Sequence, residues 1–148
     1  KGLGAPVGSA LVGSEQMIST MRRHRKLFGG GMRQSGIIAA GALYALENNI
    51  ERLQEDHAAA QVIAQAISET EGLELQPQVV DTNIVIFRID PQIGHARDFC
   101  DQAKSEGVWM LPFSTEHVRA VTHLHVSRQD AGMAGQIIRD VVGSLTSV

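Results

Sequence analysis

Apolar residues recur along this chain at spacings that define a succession of short elements. Residues 9–12, Ser-Ala-Leu-Val between Gly8 and Gly13, read as a short buried strand. Ser14 then stands where a helix N-cap belongs, and Glu15 falls in the first turn, where an acid meets the positive end of the dipole. A helix to about Arg25 is predicted. From Gln34 to Leu46 the pattern is apolar on nearly every face, which predicts a buried helix. Gly36 and Gly41 inside it point to close helix packing, because each weakens an isolated helix by about 1 kcal/mol relative to Ala. A break follows at Asn48 and Asn49. Over residues 50–70, Ile50, Leu53, His57, Ala60, Ala64 and Ile67 form one stripe of an amphipathic helix, closed by Gly72. Residues 82–89, rich in β-branched side chains, predict a strand. A helix over 94–106 stops at Gly107, short strands follow at 108–111 and 118–126, and Ser127 caps a last helix toward Ser144. From residue 50 the order is helix, strand, helix, strand, strand, helix. That order predicts an α/β sandwich with helices on a small, largely antiparallel sheet.

Composition narrows the class. The 148 residues are 43% hydrophobic and 20% charged, which suits a folded core rather than a disordered tail. The net charge of -3 gives no reason to expect nucleic acid or a membrane as partner. Positive charge is concentrated locally, at Arg22, Arg23, His24, Arg25, Lys26 and Arg33. The single Cys100 excludes an internal disulfide and suits a reducing compartment. Neither an apolar run of about 18 residues nor a secretory leader is read, so a cytoplasmic location is expected. The first residues, beginning at Lys1, read as the middle of a domain, and a fragment is expected.

Three stretches could carry chemistry. Lys1 beside the glycine-rich "GLGAPVGS" could serve as a Schiff-base nucleophile if its pKa were lowered, or it could be a solvated surface lysine. The glycines at 29–31, between Lys26 and Arg33, could form an anion site; the alternative is a basic helix end complementing the dipole. The order of residues is not that of a Walker loop. On a strand over 118–126, Arg119, Val121, His123 and His125 would share one face. The two histidines could ligate a metal, although no third ligand is evident, and Arg119 could bind a carboxylate or form a surface ion pair. Cys100, in mid-helix, reads as a buried, inert thiol.

Taken together, "KGLGAPVGS", "RKLFGGGMRQSGIIAAGALYAL", "RLQEDH", "DTNIV" and "RAVTHLHVSR" resemble, in order and over nearly the whole chain, the C-terminal part of the low-specificity L-threonine aldolases. The resemblance implies a fold-type I, aspartate aminotransferase-like α/β enzyme dependent on pyridoxal 5'-phosphate, which cleaves L-threonine or L-allo-threonine to glycine and acetaldehyde. It implies that Lys1 holds the cofactor and that Lys26 and Arg33 line its anionic surroundings, with Arg33 near the phosphate bound by a partner subunit. Arg119 would receive the substrate carboxylate. No metal is implied. His125 departs from the acidic residue frequent at that position, and the roles of His123 and His125 stay open. Residues 1–50 would be the end of the large cofactor-binding domain and residues 51–148 a small C-terminal domain. The ring-stacking histidine and the aspartate for the pyridine nitrogen would lie upstream, in an N-terminal part of the same enzyme, and the assembly would be a homotetramer, a dimer of dimers. Two alternatives remain: a related β-hydroxy-amino-acid lyase such as a phenylserine aldolase, and a non-catalytic α/β interaction module.

Overall fold

The computed structural model describes residues 2–146. The chain divides into two compact units, Lys1–Glu51 and Arg52–Val148. The first holds helices α1 (Glu15–Leu27) and α2 (Gly36–Asn48). Ser14 caps α1 as its sequence predicts, its hydroxyl accepting the Met17 N–H at 3.3 Å. Two expectations for this unit fail. Residues 9–12 form no strand and are exposed, with Val12 at 84%; so short a segment makes a strand only where a partner edge supplies hydrogen bonds. Helix α2 forms, but Ala45 is its only buried residue and Ile37 is 90% exposed. An all-round apolar pattern says what a helix can bury, not whether anything covers it.

The second unit runs α3 (Leu53–Ser68), β1 (Leu73–Leu75), β2 (Ile84–Ile89), α4 (Ala96–Ser105), β3 (Leu111–Pro112), β4 (His117–Val121) and α5 (Arg128–Leu145). The strands make one antiparallel sheet in the order β1-β2-β4-β3. Val85, Phe87 and Ile89 of β2 and Val118 and Ala120 of β4 alternate onto the face that packs against the three helices. There Phe87 meets Phe99 of α4 edge to face, with ring centroids 5.9 Å apart. Helices α3 and α5 approach closely at Gly135, where a Cβ would stand 2.7 Å from that of Ala66. The opposite sheet face carries no helix of this unit.

Three sequence expectations change here. The buried stripe of α3 is Asp56, Ala59, Ala60, Ile63, Ala64, Ala66 and Ile67, while His57 is exposed and Ile50 precedes the helix. The rotation follows from Asp56, which turns inward because Arg52, one turn earlier, neutralises it. Strand β1 escapes the reading because it is only three residues long with Glu74 at its centre. Strand β4 ends at Val121 instead of running to Val126, since the chain turns so that the Val126 N–H reaches the His123 carbonyl at 2.8 Å.

Candidate active site

The glycine loop of the first unit is built from the end of α1. The Phe28 N–H donates to the His24 carbonyl, the Gly29 N–H to that of Lys26 at 3.1 Å, and the Gly30 N–H to that of Arg25 at 2.7 Å. With Gly29 at φ +84°, this is a Schellman ending, which needs glycine at its left-handed position. The first two glycines therefore terminate a helix, and their amides are not available to an anion. The third does something else. A Cβ at Gly31 would lie 3.2 Å from Lys26 Nζ, so its absence leaves the amine room over the loop. Lys26 and Arg33 flank this loop, both exposed and neither ion-paired among the described residues. Any anion-binding capacity at the loop rests on these two side chains.

Arg119 belongs to the second unit. The alternation of β4 turns Val118 and Ala120 into the core and sets Arg119, with His117 and Val121, on the helix-free face. Its neighbours across the ladders are Ile86 of β2 and Leu111 of β3. On the same face Arg88 donates from Nε to Glu116 at 2.8 Å, a hydrogen bond that raises its pKa above the ordinary value. Arg119 has no such acid: its Nε is buried without a hydrogen-bond partner among the described residues. Leaving a buried donor unpaired costs about 1–3 kcal/mol, so the position favours a bound acceptor.

The remaining candidates sort by geometry. His117 is fully engaged, with Nδ1 2.8 Å from Ser114 Oγ and Nε2 2.8 Å from Gln76 Oε1. His123 and His125 lie beyond the end of β4, so the strand alternation that would have aligned them with Arg119 does not reach them. Their rings stand edge to face, 5.9 Å between centroids. Among the described residues no three His, Cys, Asp or Glu side chains gather as a metal site. Burial pushes the Cys100 thiol up to about 11, with the charge of Asp101 adding to the shift. Lys1 lies outside the described residues.

An apolar cavity of about 450 Å³ opens beside β4 and α5, lined by Ile63, Met110, Thr122 and Ile138 among others. Its ionisable lining groups are Glu106 and Asp130, both acids, which suits it poorly to a carboxylate. A second cavity of about 470 Å³ includes Arg52, His125 and Arg128, but Arg52 is already committed to Asp56.

Sequence reasoning missed the buried Asp56, although its spacing of four from Arg52 is that of a helical ion pair. Arg52 donates to both its carboxylate oxygens, at 2.8 and 3.3 Å, and the bond to Asp56 raises the arginine's pKa above its ordinary value.

The family model of the beta-eliminating lyases matches residues 1–90. The low specificity L-threonine aldolase of Escherichia coli K12 is 46% identical over 129 residues, 87% of this chain and 37% of that protein. Among solved structures, a candidate L-allo-threonine aldolase from Listeria monocytogenes superposes with a TM-score of 0.70 at 15% identity, over 95% of this chain and 42% of that one. The ornithine delta-aminotransferase of Plasmodium falciparum gives 0.58 at 17%, over 74% and 29%. Both structural likenesses concern the fold, the α/β architecture of fold-type I pyridoxal phosphate enzymes. The chain spans 37% of the length of the curated relatives it matches first.

Proposed function

Since this chain belongs to the beta-eliminating lyase family, we propose that it forms part of a pyridoxal-phosphate-dependent L-threonine aldolase. The reaction is retro-aldol cleavage of L-threonine or L-allo-threonine to glycine and acetaldehyde. Support comes from relatives named low-specificity L-threonine aldolase and, within the structure, from one observation above the others: the buried Nε of Arg119, unpaired on the sheet face that carries no helix of its own unit. A guanidinium held by strand register and lacking an acid is suited to a substrate carboxylate, which it can bind bidentately.

The residues present also fit the cofactor. Lys26 and Arg33 are two uncompensated cations around a loop whose Gly31 leaves space beside the amine, a match for a phosphate dianion. In this reading Lys1 holds the cofactor covalently, Lys26 and Arg33 neutralise its phosphate, and Arg119 fixes the orientation of the amino acid through its carboxylate. Pyridoxal phosphate, when bound, supplies the electron sink that lets the Cα–Cβ bond of the amino acid break. The rest of the cofactor's surroundings would come from sequence outside these 148 residues. Assembly into a homotetramer is part of the proposal, as the resemblance to the low-specificity L-threonine aldolases implies.

The test is made on the natural protein. Borohydride reduction followed by peptide mapping should place a pyridoxyl group on Lys1. Arg119→Ala should raise the KM for L-threonine about a hundredfold, as expected for loss of charged hydrogen bonds, while leaving that labelling intact. An unlabelled Lys1 in protein that cleaves threonine, or an unchanged KM, would remove the corresponding assignment.

A further inference from the structure

Residues of three sequence stretches that the proposed chemistry leaves without a role, Asp56 of "RLQEDH", Asn83 of "DTNIV" and Thr122 of "RAVTHLHVSR", meet at one point. Thr122, 1% exposed, donates its hydroxyl to the Asp56 carbonyl at 2.6 Å. Its N–H donates to the Asn83 carbonyl at 2.9 Å, and Asn83 Nδ2 donates back to the Thr122 carbonyl at 2.7 Å. Asp56 is in turn held by Arg52 through two hydrogen bonds. The residue just past the end of β4 is thus fastened through its amide, its carbonyl and its side chain.

This fastening sits where the sheet gives least support. Strand β3 pairs with β4 only at Leu111↔Arg119 and Pro112↔Val118, so beyond Arg119 the strand has a neighbour on one side alone, at Val85↔Ala120 and Ile84↔Val121. A strand end with one neighbour frays unless something holds it. Arg119 is two residues from that end, and carboxylate binding by a guanidinium depends on its placement to within about an ångström.

We propose that Thr122, anchored to Asp56 and Asn83, is a positioning residue that fixes the end of β4 and so holds Arg119 in place for the substrate carboxylate. The inference rests on the assignment of Arg119 made above. Thr122 itself touches no substrate in this scheme.

The experiment uses the natural protein saturated with pyridoxal phosphate, with calorimetric titration of glycine and of methylamine, which lacks the carboxylate. Thr122→Val keeps the side-chain shape and removes the hydroxyl. It should raise the glycine Kd about tenfold and leave the methylamine Kd within about twofold, because only the carboxylate contact is displaced. Thr122→Ser, which restores the hydroxyl, should return glycine binding to within about twofold of the parent. Amide exchange of residues 119–121 should accelerate in Thr122→Val alone. Equal weakening of both ligands, or an unchanged glycine Kd in a protein where Arg119→Ala raises it, would overturn the positioning role. An unchanged Kd in Arg119→Ala would instead overturn the assignment of Arg119, and the positioning role with it. Should Thr122→Val not fold, Asn83→Ala removes the donation to the Thr122 carbonyl and carries the same expectation, with unchanged glycine binding counting against the proposal.

Discussion

Cys100 is 4% exposed on the inner face of α4, and its thiol stays protonated until about pH 11. In the folded chain it should react with a disulfide reagent far more slowly at pH 8 than in denaturant, a difference read directly from the absorbance of the released thiolate. The linkage has a definite sign. An unfolded thiol with the ordinary value of 9.0 ionises before the folded one, so its contribution to stability is complete below about pH 9 and lost as pH rises toward 11. The loss is bounded at about 3 kcal/mol for two pH units, and it appears as a steeper alkaline decline in the parent than in Cys100→Ala. This thiol was legible in the sequence, since a lone cysteine in mid-helix has few other fates. Asp56 was not. Hydropathy assigns a carboxylate to water, and only the neighbouring Arg52 makes burial affordable. Asp56→Ala should therefore cost about 1–2 kcal/mol in chemical denaturation, because it removes the two hydrogen bonds from Arg52, which keeps Glu55 at 3.6 Å as a second partner. Asp56→Asn, which keeps a hydrogen-bond acceptor, should cost less.

Helix ends were readable because their chemistry is local. Ser127 starts α5 as its position in sequence implies, and the structure closes a capping box. Its hydroxyl oxygen accepts the Asp130 N–H at 3.1 Å, and Asp130 Oδ2 accepts the Ser127 N–H at 2.9 Å. The hydroxyl and backbone of Ser127 hold the Asp130 carboxyl below its ordinary value of 3.8. That contribution is present above pH 3.8 and is lost as pH falls through the lower folded value. Ser127→Ala should lower stability by about 1 kcal/mol at neutral pH, and the deficit relative to the parent should shrink in acid as the carboxylate is protonated. The length of β4 was not readable in the same way. Residues 118–126 are all compatible with a strand; the turn that closes on the His123 carbonyl ends it at Val121, and Thr122 is held there by Asp56 and Asn83, distant partners that no local pattern announces. The same distance separates Arg119 from its reading: alternation places it on one face of a strand, but only the completed sheet makes that face helix-free and leaves Nε without an acceptor.

At the scale of the molecule the two units differ in how much of their own surface they bury. The second has a continuous core running from Ala59 through Phe87 and Phe99 to Val142, built by three helices against one sheet face. In the first, α1 buries no residue and α2 only Ala45, although the composition of α2 is apolar. The sequence pattern thus led to the right architecture where the chain supplies both sides of a contact, and to the wrong burial in α2 and at residues 9–12. Helices of 13 residues are marginal in water without tertiary packing. Hydrogen exchange on the 148-residue chain should therefore be uneven, with amides of β2, α3 and α5 exchanging at least about a hundredfold more slowly than those of α1 and α2. Protection of α1 and α2 that rises with protein concentration would show that copies of the chain cover the exposed Ile37, Leu43 and Tyr44. Equal protection of both units at every concentration would contradict the difference in burial, and would mean that the helices of the first unit draw their stability from packing comparable to that of the second.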